Sequence, residues 1–250
     1  MANKLGKAVL MSVVTAFVAP MAAEAAPILT LTSGASTVTV ADNGAGDTDP
    51  RAQFISYIGP VGSFFTNVAT TGSSNSPGAV LSPGVDRGIL QLQSLQARNL
   101  DTAGRQTLDI VFSDTGFLSP IGQNRLSSGV GLTFLNGTEG DTAVFQSHFD
   151  PGNVNGFLHP TRTTGAQTAI ANGLELQTYN SNAQSDLPAT ITPFSLSQHL
   201  VLNLSGGAEV NASGTTTAIT NAAQLVIPEP GTLGLAGIAG LGLLARRRRA

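Results

Sequence analysis

At 250 residues, with 11% of them charged and a net charge of −3, the chain has room for one domain of roughly 200 residues between terminal segments. Cysteine and tryptophan are absent, which excludes disulfide scaffolds and thiol chemistry. Of 12 basic and 15 acidic residues, removing Lys4, Lys7, Arg246 to Arg249, Glu24 and Glu229 from the two ends leaves six Arg and thirteen acids, a body charge of −7. That balance excludes nucleic acid as a partner, because phosphates need a basic footprint.

The first segment is a leader. Lys4 and Lys7 precede an apolar run from Ala8 to Pro20, and Ala23-Glu24-Ala25 supplies the small residues that a signal peptidase reads. Residues 1–25 are expected to form a secretory signal helix, cut after Ala25.

From residue 26 to 227 the chain reads as strands. Two-residue alternation recurs in Ile28 to Thr32, Thr37 to Val40, Phe64 to Ala69, Leu90 to Gln93, Thr107 to Ser113, Val130 to Leu135, Ala143 to Asp150 and Leu174 to Thr178. Its clearest instance is Phe194 to Ser205, with Phe194, Leu196, Leu200, Leu202 and Leu204 on one face. One apolar and one polar face per strand signals antiparallel sheets on a shared core. Asn43-Gly44, Ser76-Pro77-Gly78, Ser82-Pro83-Gly84, Asn136-Gly137 and Pro151-Gly152 punctuate the runs as turns. Ala166 to Asn172 is the one short helix expected. About ten strands without a fixed repeat predict a single all-β domain, a two-sheet antiparallel β-sandwich in jelly-roll or Greek-key style.

Candidate sites in this body are few. The loop Asp42 to Pro50 gathers Asp42, Asn43, Asp47 and Asp49, oxygen ligands of the kind calcium takes. The competing reading is an acidic turn in which Asp and Asn serve backbone geometry. His148, His159 and His199 lack metal-ligand spacing, and His148 and His199 fall on polar strand faces, where exposure is expected. Phe65 and Phe157 are assigned to the core, and Tyr57, beside Phe54, Ile55 and Ile58, reads as buried. No Gly-x-Ser-x-Gly elbow, phosphate loop or dinucleotide fingerprint occurs. No catalytic residue and no organic cofactor are assigned, and no enzyme is expected. A shallow Asn, Gln and Asp surface remains open as a glycan-binding site, although such sites usually present Trp or Tyr.

The last segment is a second address. Pro228-Glu229-Pro230 is held extended. A chain from Thr232 to Ala245 follows with no charge, then Arg246, Arg247, Arg248 and Arg249. As a helix the apolar run spans about 21 Å, short of the ~30 Å hydrocarbon core. It is expected to seek the inner membrane with its arginines on the cytoplasmic side.

Val226-Ile227-Pro228-Glu229-Pro230-Gly231, an apolar helix and an arginine cluster together resemble the PEP-CTERM sorting domain of exopolysaccharide-producing Gram-negative bacteria, a tail also labelled ice-binding protein C-terminal domain. Ser36 to Pro50 and Phe112 to Phe117 further resemble the β-sandwich bodies of exported proteins of this kind. The resemblance implies recognition by an exosortase-type membrane protease, cleavage near Pro-Glu-Pro, transient inner-membrane anchoring, and delivery to the envelope or extracellular matrix. The expectation is therefore an exported non-enzymatic protein, structural or adhesive in exopolysaccharide, in three parts: 1–25, 26–227 and 228–250. The alternative is a polysaccharide-binding module or a matrix-acting enzyme on the same sandwich.

Overall fold

The computed structural model describes residues 26–73, 87–102, 104–118, 122–190 and 193–220. Within them are twelve strands: β1 (Ile28–Ser33), β2 (Ser36–Ala41), β3 (Phe54–Val61), β4 (Phe64–Ser73), β5 (Arg87–Asn99), β6 (Gln106–Phe117), β7 (Gly122–Leu135), β8 (Thr142–Asp150), β9 (Gln167–Ile170), β10 (Leu176–Thr190), β11 (Phe194–Leu204) and β12 (Glu209–Thr220). They form two six-stranded sheets, β2-β1-β6-β11-β8-β9 and β10-β7-β12-β5-β4-β3. Every recorded strand pair is antiparallel. After β5 the chain alternates between sheets, interrupted only by the β8–β9 pair. The expected sandwich is therefore present, and the expected terminal helices lie outside the described residues.

The alternation that marks the strands in sequence also builds the core. Leu108, Ile110 and Phe112 on β6 and Leu200, Leu202 and Leu204 on β11 are buried from the first sheet, and Leu90, Leu92, Leu126, Leu132 and Phe134 from the second. Each fully buried large side chain contributes roughly 1.5–3 kcal/mol. Phe194 stacks on Phe117 at 5.5 Å and tilts against Phe149 at 4.7 Å, closing one end of the core.

Several local expectations are corrected. The helix expected over Ala166 to Asn172 is instead strand β9, with Gln167 and Ala169 buried and Thr168 and Ile170 exposed. Seven residues seldom nucleate a helix alone, while β8 offers an edge from Thr142 to Phe145. Phe65 and Phe157 are not core residues: they are 42% and 44% exposed. Tyr57 is only partly buried, with its hydroxyl donating to the Pro60 carbonyl at 3.1 Å. Among the described residues no helix is long and apolar enough to cross a membrane. The apolar run before the arginines lies outside them.

The two outer faces differ. The connection from β8 to β9 folds over the first sheet: Ser195 Oγ donates to Val154 O, Gly156 N donates to Ser113 Oγ, and His148 Nδ1 meets His159 O. Among the described residues, no such strap crosses the outer face of the second sheet.

Candidate functional site

On that open face β7 runs between β10 and β12, and β5 lies beyond β12. Outward positions meet in ranks. Asn182, Gly129, Thr215 and Gln91 align across the four strands, and Asn180, Gly131 and Ser213 align beside them. At the next rank Gln184, Ser127 and Thr217 align. Two glycines at the centre remove the side chains that would fill the middle, so amides and hydroxyls rim a trough of about 640 Å³. A shallower section continues past Gly131 toward Thr133 and Asn211.

Among the described residues, the side chains of Gln91, Gln93, Ser127, Asn180, Asn182, Ser213, Thr215 and Thr217 form no hydrogen bond with another protein group. At the margins the pattern reverses. Arg125 holds Asp186 at 3.2 Å and donates to Gln184 Oε1, Thr133 meets Thr178, and Gln96 donates to Glu209 at 2.7 Å. An amide offers both donors and acceptors, and a hydroxyl does the same. The trough thus concentrates neutral, two-way hydrogen-bonding capacity, and its lining holds no side chain that titrates near neutral pH.

The acidic loop lies elsewhere, between β2 and β3. Asp47 Oδ2 accepts from Asn43 N at 2.8 Å, while its Oδ1 accepts from Asp49 N and Ser56 N. Asp42 Oδ2 accepts from Gln53 N, and Asp49 binds Arg51 through both oxygens. The Arg51 guanidinium holds the Asp49 carboxyl below the usual carboxylate range, against the opposing effect of burial. Asn43, at φ 54, takes the left-handed conformation the turn requires. In this arrangement the carboxylates close the loop on its own N–H groups. Among the described residues no group of three or more His, Asp or Glu is arranged to hold a metal ion.

The three histidines are brought closer together than their spacing suggests, but not as an exposed set. His148 is only 5% exposed under the strap, correcting the expected surface position. Its ring lies 6.1 Å from that of His199, whose Nε2 pairs with Asp109 at 2.9 Å. His159 Nδ1 accepts from the backbone of Thr161 and Arg162. Burial pushes the His148 imidazole below its ordinary pKa of 6.5. Ser113 Oγ donates to Asn155 Oδ1, and Ser197 Oγ donates to Phe157 O.

The trough residues were not separable from other surface polar residues by type. A signal did exist in the run Asn180 to Asp186 and in Asn211 to Thr217, where polar residues occupy strands with few large apolar neighbours. The sorting residues Pro228, Glu229, Pro230 and Arg246 to Arg249, like Ala23 and Ala25 of the leader, lie outside the described residues.

Among solved structures, the chain is similar to a carbohydrate-binding module in complex with β-1,4-galactotriose, at 9% identity and TM-score 0.34, covering 69% of this chain and 90% of that one. It is likewise similar to a carbohydrate-binding module described for specific mannan recognition, at 11% identity and TM-score 0.32, with 68% and 90% covered. A structure of infectious bursal disease virus Gx strain aligns at 14% identity and TM-score 0.35, covering 89% of this chain and 55% of that one. Likenesses this distant carry no functional argument. No curated protein matches the chain. Residues 226–249 match the model of the PEP-CTERM protein-sorting motif, so the chain carries that sorting motif behind a β-sandwich body.

Proposed function

We propose that the protein is an exported, non-enzymatic component of the extracellular matrix, retained there by adhesion to polysaccharide. The protein-sorting motif at residues 226–249 carries this reading. On it, signal peptidase removes residues 1–25, residues 26–227 form the working body, and an exosortase-type protease cuts near Pro228-Glu229-Pro230 after the tail engages the inner membrane.

The trough supports adhesion over a purely space-filling role, because unpaired amides and hydroxyls converge in one concavity. Glycoside cleavage ordinarily needs two carboxyl groups flanking the scissile bond. A polymer lying in the trough meets none in its lining. The test is to mix the purified chain with extracellular polysaccharide from its own host and sediment the polymer. Co-sedimentation without new reducing ends is the expected result. Protein left in the supernatant would overturn the adhesive reading, and shortened polymer would overturn the non-enzymatic one.

A further inference from the structure

The chemistry of the trough narrows the kind of polymer it takes. We infer that it receives an uncharged polysaccharide strand, laid along β7 over Gly129 and Gly131, and discriminates against acidic polymers. This rests on the adhesive reading above and specifies its ligand.

Every side chain lining the trough is neutral. A uronic acid or sulfated strand would bring anions to a site with no cation to meet them, and desolvating an unpaired carboxylate is strongly unfavourable. At one end Arg125 is already held by Asp186 and Gln184, and the second arginine of that rank, Arg87, lies two strands from β7, beyond Ile219 and outside the lining. At longer range the body charge of −7 repels a polyanion. A neutral sugar meets none of these costs, and its hydroxyls match side-chain groups that both donate and accept.

The floor carries the specificity. A Cβ on Gly129 would sit 2.8 Å from Asn182 Oδ1, and one on Gly131 would sit 3.2 Å from both Asn180 Oδ1 and Ser213 Oγ. The amide oxygens therefore lean over the glycines, where they can address a ligand resting on the bare backbone. Glycine inside a strand weakens it, so two outward-facing glycines beside each other in one strand sacrifice stability on this face. From Arg125 to Thr133 the strand extends about 27 Å, enough for several sugar units. With no aromatic platform in the lining, single-site binding is weak, and retention comes from many trough-bearing molecules along one polymer.

The experiment uses the full chain in calorimetric titrations. The probe is the host's extracellular polysaccharide, separated by anion exchange into neutral and acidic fractions and tested at matched ionic strength. The neutral fraction is expected to bind at least tenfold more tightly than the acidic one. Asn182→Ala, a change at an exposed side chain, should weaken binding about tenfold with an unchanged melting temperature. Gly131→Val should abolish binding while leaving the melting temperature equal or higher. Equal or tighter binding of the acidic fraction, or undiminished affinity in both variants, overturns this inference and leaves the adhesive reading standing. No binding to either fraction removes both.

Discussion

Two residues show how much depends on single buried groups. His148 donates from Nδ1 to the His159 carbonyl at 3.1 Å, which leaves the lone pair on Nε2, a buried atom without a partner. Protonation would create a buried N–H with no acceptor, beside His199 and His159, so the native imidazole resists the proton. The unfolded chain takes it up first as pH falls. The stability contribution is therefore complete above about 6.5 and declines as pH drops toward the lowered native value. Thermal unfolding followed from about pH 7.5 to 5.5 should show a falling midpoint, and His148→Gln should flatten that slope. An unchanged slope in the variant would place the proton uptake elsewhere.

Asp141 is the second case, with no exposed side-chain surface. Its Oδ1 accepts from Arg105 and from the Ser205 amide and hydroxyl, and its Oδ2 accepts from Thr138 N. One carboxylate thus ties the approach to β6, the β7–β8 loop and the end of β11. Asp141→Ala should cost about 3 kcal/mol in denaturant unfolding, toward the low end for a broken buried ion pair. Arg105, 38% exposed, can turn to water and limits the loss. A loss below about 1 kcal/mol would show that the carboxylate is not the tie described.

At the scale of elements, β12 explains why part of the sandwich is hidden in the sequence. Beyond Val210 its inward positions are Ala212, Gly214, Thr216 and Ala218, too small to raise the two-residue apolar signal that exposes β6 or β11. Small residues are needed there because the facing sheet supplies the bulk. A Cβ on Gly214 would sit 2.8 Å from the Phe145 ring, and Ser147 Oγ bonds Thr216 Oγ1 across the sheets. A glycine-to-alanine change at a compatible strand position gains about 0.4–1 kcal/mol. Overpacking costs about 1–3 kcal/mol, so Gly214→Ala should lower stability in denaturant titration; a rise would show the two sheets to be loosely fitted.

The strands legible in sequence are those whose own large residues fill the core. Those with few large residues of their own, such as β12 and the polar length of β10, are not. Histidine burial was illegible for a related reason. The strap over β8 covers a face whose alternation still reads as solvent, and only the tertiary contact of His159 with His148 reveals it. The trough required four distant segments, around Gln91, Gly129, Asn182 and Thr215, to be aligned by register. Sequence supplied its polar chemistry but not its convergence.

At the scale of the whole molecule, the parts fit the proposed route to the matrix. A body without cysteine is stabilised by phenylalanine and leucine between two sheets; among the described residues, one outer face is strapped and the other presents unpaired hydrogen-bonding groups. The sorting motif at residues 226–249 accounts for the remaining chemistry at the C-terminal end. Intact mass spectrometry of the protein recovered separately from matrix and membrane fractions tests the central claim most directly. The account predicts a matrix species lacking both residues 1–25 and everything beyond the Pro228-Glu229-Pro230 region. A mature species that still carries Arg246 to Arg249 and stays in the membrane fraction would contradict it.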